Sequence, residues 1–98
     1  MKRLSDFKDD KAFEIVAELL DPITAIATDK DELIKGKKTR IDVAKAVFIN
    51  HKDDVKKIIA ILSEKDVDEL EINAATLFSD FLTLLSDPDF MGFFKSAA

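Results

Sequence analysis

The stretch Lys52-Asp53-Asp54-Val55-Lys56-Lys57-Ile58-Ile59-Ala60-Ile61-Leu62-Ser63 decides the fold class. Val55, Ile58, Ile59 and Leu62 recur at i, i+3, i+4 and i+7, the spacing that gathers them on one face of an α-helix. Asp53 and Asp54 stand at its start, where unpaired backbone N–H groups and the helix dipole favour negative charge. Just upstream, Asn50-His51 reads as a joint. Before it, Ile41 to Asn50 carries Ala44, Val47 and Phe48 on one face, with Val43 beside them. His51 is expected at a helix end, where a partly charged imidazole suits the C-terminal dipole.

The same periodicity extends in both directions. Phe13, Val16, Ala17 and Leu20 again follow i, i+3, i+4 and i+7, with Asp9 or Asp10 as the expected cap. Pro22 lacks an N–H and disfavours helix at Asp21, so a break or kink is expected there, with Ile23 and Ile26 on a short second segment. Asp29 to Lys35 reads as a further helical turn with Leu33 and Ile34 inward, and Gly36 as its stop. Lys35 to Arg40 is a basic loop, either a solvated connector or a docking patch for an acidic partner. Asp66 to Leu70 reads as a brief turn. Asn73 caps a helix carrying Leu77, Phe78, Phe81, Leu82 and Leu85. Asp87 and Pro88 fit the N-cap and first position of a last helix.

No segment alternates apolar and polar residues with period two. The expectation is an all-α fold, a compact bundle of about five to seven short helices, forming one domain over residues 1–98. Its expected core is Phe13, Val16, Leu20, Val47, Phe48, Val55, Ile58, Ile59, Leu62, Leu77, Phe81 and Leu85. Residues 88–98 form a terminal helix free to swing on the Ser86-Asp87-Pro88 hinge.

Composition narrows the function. The chain has 98 residues, no cysteine, one histidine and a net charge of −5. Disulfide and thiolate chemistry are excluded. No basic surplus is available for a nucleic-acid backbone. The apolar runs are far shorter than the ~18 residues of a membrane span. Met1-Lys2-Arg3 is followed by no apolar leader segment, so a cytoplasmic location is expected. A zinc site needs several converging ligands, and His51 supplies at most one. The pairs Asp9-Asp10 and Asp53-Asp54 and the run Asp66 to Glu71 read as solvated helix starts and turns. They carry neither acid–base geometry nor a calcium-loop spacing. The chain is therefore read as a non-enzyme without metal or cofactor.

Its phenylalanines are the unusual feature, eight in all with no tyrosine or tryptophan. The last helix carries Phe90, Met91, Phe93 and Phe94. Phe90, Phe93 and Phe94 follow i, i+3 and i+4, with Met91 adding an adaptable surface beside them. This cluster either completes the core or forms a protein-binding surface. The second reading makes Phe90, Met91, Phe93 and Phe94 the candidate site.

Three segments together resemble the small tail assembly chaperones of siphophages and prophages of Gram-positive bacteria. They are Leu4-Ser5-Asp6-Phe7-Lys8 with Ala12 to Ile23 running through Glu18-Leu19-Leu20-Asp21-Pro22-Ile23; Asn50-His51-Lys52 with the helix to Leu62; and Leu84-Leu85-Ser86-Asp87-Pro88-Asp89-Phe90-Met91-Gly92-Phe93-Phe94. Family members usually continue into a polar Ser/Gln-rich tail, whereas this sequence ends at Ala98. The resemblance implies a protein that binds the tape measure protein and keeps it soluble until tail tube protein polymerises around it. It implies the tape measure protein and the major tail protein as partners and weak homo-oligomers, while the net charge and the short apolar runs already argue for no nucleic acid and no membrane. It also implies residence in the host cytoplasm and absence from the mature virion. A small phage regulatory or structural protein acting by protein–protein binding is the alternative.

Overall fold

In the computed structural model, residues 1–37 and 39–97 are described, with the side chains of Arg40, Ile41 and residues 93–97 outside the description. The chain is all-α, with six helices and no strand among the described residues. They are α1 (Asp9–Thr28), α2 (Lys30–Ile34), α3 (Arg40–Asn50), α4 (Lys52–Leu62), α5 (Ala74–Ser86) and α6 (Pro88–Ala97). Single 3₁₀ turns stand at Leu4–Asp6, before α1, and at Val67–Glu69, between α4 and α5.

Most helix ends are set by their neighbours in sequence. The Thr39 hydroxyl accepts from the Asp42 N–H at 3.2 Å and starts α3. Asn73 and Thr76 form a reciprocal capping box at the start of α5. Gly36 follows α2 with φ of +71°, the left-handed conformation that glycine adopts without penalty. After α4, the Glu64 N–H donates to the Ile61 carbonyl and the Lys65 N–H to the Ala60 carbonyl. This closing pattern puts Glu64 itself in the left-handed region, at φ of +56°. The cap of α1 is Lys8, with no side-chain hydrogen bond; Asp9 and Asp10 lie in the first turn rather than before it.

Pro22 does not end its helix. α1 runs unbroken through it for 20 residues. The missing N–H would have met the carbonyl of Glu18, which lies on an exposed residue where water can serve it. The proline ring is meanwhile buried beside Leu19 and Ile23.

α1 and α4 form the central pair. α6 packs on α1, α3 on α4, α5 on α6, and α2 on α1 and α3. The core gathers Phe7, Ile15, Leu19, Ile23, Ile26, Leu33, Ala46, Ile58, Leu62, Leu84 and Phe90, with Ile59 and Ala60 also buried. The expected core positions Ile58, Ile59 and Leu62 are buried. Val47, Phe48, Val55, Leu77 and Phe81 are half-buried.

Phe13, Val16, Leu20 and Leu85, expected inside, face solvent, and so does Ile34. α1 turns its other apolar face inward, made by Ile15, Leu19, Pro22, Ile23 and Ile26. That face is longer and continues through the proline. α5 packs chiefly on α6, sends Leu84 into the core and meets α3 through the Phe48–Phe81 ring contact, so Phe78, Leu82 and Leu85 are left exposed among the described residues. The molecule is 22 Å across its shortest axis, about two helix diameters. A body two layers thick leaves every helix a solvent face. No helix among the described residues is long and apolar enough to cross a membrane.

Candidate functional site

The C-terminal cluster divides. The Asp87 carboxylate caps α6: its Oδ1 accepts from the Asp89 N–H at 3.0 Å and the Phe90 N–H at 3.4 Å. This cap fixes the register of the helix, and Phe90 lands in the core, 6% exposed. Met91 packs half-buried against that core. The expected outward presentation of Phe90 is therefore corrected: its ring seals α6 to the bundle. The side chains of Phe93 and Phe94 lie outside the described residues.

Two other apolar faces stand in solvent. On α1, Phe13 is 79% exposed, and with Ala12, Val16, Ala17 and Leu20 it lines a shallow groove. On α5, Phe78, Leu82 and Leu85 follow i, i+4 and i+7, with Phe78 64% exposed. Isolated exposed apolar residues are ordinary, but contiguous stripes at helical spacing mark surfaces that meet another apolar surface. Both patterns are visible in the sequence, where Phe13, Val16, Leu20 and Leu85 read as core and Phe78 and Leu82 are placed on the helix without a core assignment. The signal that separates them is that α1 carries two apolar faces at once, and a helix on the edge of a thin bundle can bury only one.

Between α3, α4, α5 and α6 lies a cleft of about 170 Å³, lined by Val43, Val47, Phe48, Val55, Phe81 and Met91 among others. Phe48 and Phe81 meet across it with ring centroids 4.6 Å apart, tilted by 60°. It is smaller than the ~300 Å³ of the smallest usual ligand pockets and has no polar group to orient a ligand. It offers adaptable packing between α5 and the rest of the bundle.

His51 is built into a polar node between two carboxylates. It ends α3 and begins α4, as the joint expected from sequence. Its Nδ1 lies 2.9 Å from Asp54 Oδ2 and its Nε2 lies 2.8 Å from Asp29 Oδ2. A neutral imidazole has one N–H and can satisfy only one carboxylate. Both contacts together require the imidazolium. The Asp54 hydrogen bond, followed by burial acting the other way and then the Asp29 hydrogen bond, leaves the His51 pKa raised above its usual value. The carboxylates sit at opposite ring nitrogens, so they converge on no point that a cation could fill. Among the described residues no cluster of metal-ligating side chains occurs.

The node makes stability depend on pH with a definite sign. A raised folded-state pKa contributes stability that is fully present below the unfolded value of about 6.5 and is lost as pH rises through the folded value. Thermal melts of the protein and of His51→Gln should therefore differ most at and below about pH 6, near the unfolded value, and draw together as pH rises through the raised folded-state value. A gap that stays constant or widens with rising pH would exclude the doubly bonded imidazolium.

Compared with known protein families, curated proteins and solved structures, the chain matches none.

Proposed function

We propose that the chain is a protein-binding module that acts as a phage tail assembly chaperone, covering apolar helical segments of the tape measure protein and keeping them soluble. The observation that carries this reading is the pair of apolar helix faces left in solvent, Phe13-Val16-Leu20 on α1 and Phe78-Leu82-Leu85 on α5. A long helical protein waiting to be encased exposes apolar faces that aggregate unless covered. A small partner with apolar stripes and a net charge of −5 covers them and lends the complex charge. The sequence resemblance supplies the identity of the client. The major tail protein is the second partner, and weak self-association through a remaining apolar face belongs to the same reading. The chain works in the host cytoplasm and leaves before the virion is complete.

The test is co-expression of a siphophage tape measure protein with and without this chain. The soluble fraction is expected to rise several-fold with it. Mass spectrometry of purified particles should find the tape measure protein and not this chain. An insoluble tape measure despite abundant chain removes the chaperone reading. Stoichiometric amounts of the chain in particles would make it a structural component instead.

A further inference from the structure

Viewed down its axis, α1 has three sides. Ile15, Leu19, Ile23 and Ile26 turn into the core. Phe13, Val16, Ala17 and Leu20 form the apolar face in solvent. The third side carries Asp10, Glu14, Glu18 and Asp21, all exposed, against a single lysine, Lys11. That lysine is engaged by Glu14 at 3.5 Å and Glu64 at 4.0 Å. One border of the solvent-facing stripe is thus acidic along its whole length.

We propose that this face of α1 docks an amphipathic α-helix of another protein, one whose apolar stripe is bordered by lysine or arginine. The stripe spans two turns, about 12 Å at ~1.5 Å per residue. That length suits an incoming helix with apolar residues at i, i+3, i+4 and i+7. Phe13, the most exposed of the large residues on α1, is the knob such a helix would enclose. A basic border on the incoming helix meets Asp10, Glu14 and Asp21 across the seam, as flanking charges do in paired helices.

A second copy of the chain suits this face poorly. Antiparallel two-fold pairing of two α1 helices aligns the acidic border of one with the same border of the other. Parallel pairing sets two helix N-termini side by side, each with Asp9 and Asp10 in its first turn. Either arrangement also brings together two chains of net charge −5.

The surface is inferred from α1 itself; only the identity of the helix's owner rests on the chaperone reading. The test uses the full chain and two labelled synthetic helices with the same apolar stripe, one flanked by lysine and one by glutamate. By fluorescence anisotropy at low salt, the lysine-flanked helix should bind at least about tenfold more tightly, and salt should erode the difference. The double variant Phe13→Gln/Leu20→Gln, altered only at exposed positions and kept to good helix formers, should retain its helical circular dichroism and lose at least about tenfold in affinity. Asp10→Asn/Asp21→Asn should narrow the preference between the two helices. Failure of the lysine-flanked helix to bind, equal binding of both helices, or unchanged binding by the glutamine variant overturns the proposal. So does a dimer in sedimentation that the glutamine variant dissolves, because a second copy would then own the face. Peptide binding without rescue of the tape measure protein keeps the surface and removes the chaperone reading. Rescue that persists in the glutamine variant does the reverse.

Discussion

Leu19→Ala is expected to lower the stability of the protein by about 2–5 kcal/mol, while Phe13→Ala changes it by no more than about 0.5 kcal/mol. Leu19 is 0% exposed, in one buried cluster with Ile15, Ile23, Ile58 and Leu62. Removing its branched end leaves a void in a body only two helix layers thick, and the surrounding helices relax only partly to fill it. Phe13 has little contact to lose, and alanine is the better helix former. Urea unfolding would read both effects as shifts of the midpoint at unchanged slope. A loss at Phe13 equal to or larger than that at Leu19 would mean that α1 is rotated about its axis from the arrangement described.

That pair of variants bears on how the sequence encodes α1. Its residues satisfy the helical pattern twice. Phe13, Val16, Ala17 and Leu20 make one face, and Ile15, Leu19, Pro22, Ile23 and Ile26 make the other. A break at Pro22 cuts the second face in half and leaves the first as the stronger one. The proline is tolerated because the carbonyl it frees is on an exposed turn and its ring joins the core. Once the helix runs on to Thr28, the second face is the longer and becomes the one that packs. The unbroken helix and the inward turn of its second face thus share one cause, the tolerance of α1 for Pro22.

Most features decided within four residues of themselves were legible: the joint at His51, the cap at Asn73, the stop at Gly36 and the cap at Asp87, though the cap of α1 fell on Lys8 and not on Asp9 or Asp10. Each follows from a side chain or backbone angle acting on the next turn. Which half of an apolar arc faces inward is decided by what packs across from it. For α5 that depends on contacts with α6 and with Phe48, which no local pattern specifies. The same limit applies to the candidate site. Phe90 belonged to a credible outward face until its cap fixed the register of α6, and the face of α1 was credible as core until another was found filling it. His51 was placed correctly at a helix end, but Asp29, 22 residues away, could not be assigned to it from spacing.

Asp87→Ala is expected to cost about 2–4 kcal/mol, well above an ordinary exposed cap at about 1 kcal/mol. Asp87 is 4% exposed, the one buried charged side chain among the described residues. Besides capping α6 through Oδ1, its Oδ2 accepts from the Leu4 N–H at 3.2 Å, joining positions 83 residues apart. The carboxylate has no ion-pair partner among the described residues. Backbone N–H groups supply the stabilisation that a buried charge requires. Alanine leaves the donors at Leu4, Asp89 and Phe90 without it and loosens the N-terminal turn and α6 together, exposing Phe90 at the seam. Asp87→Asn separates the two roles. Its amide oxygen can still cap α6, but its NH₂ then faces the Leu4 N–H, donor against donor. Its stability should fall between the other two, and amide exchange should quicken at Leu4 before it does at Phe90. An Asp87→Ala loss no greater than that of Asn73→Ala would mean that the tie between the two ends of the chain contributes nothing, and that α6 is held by its apolar side chains alone.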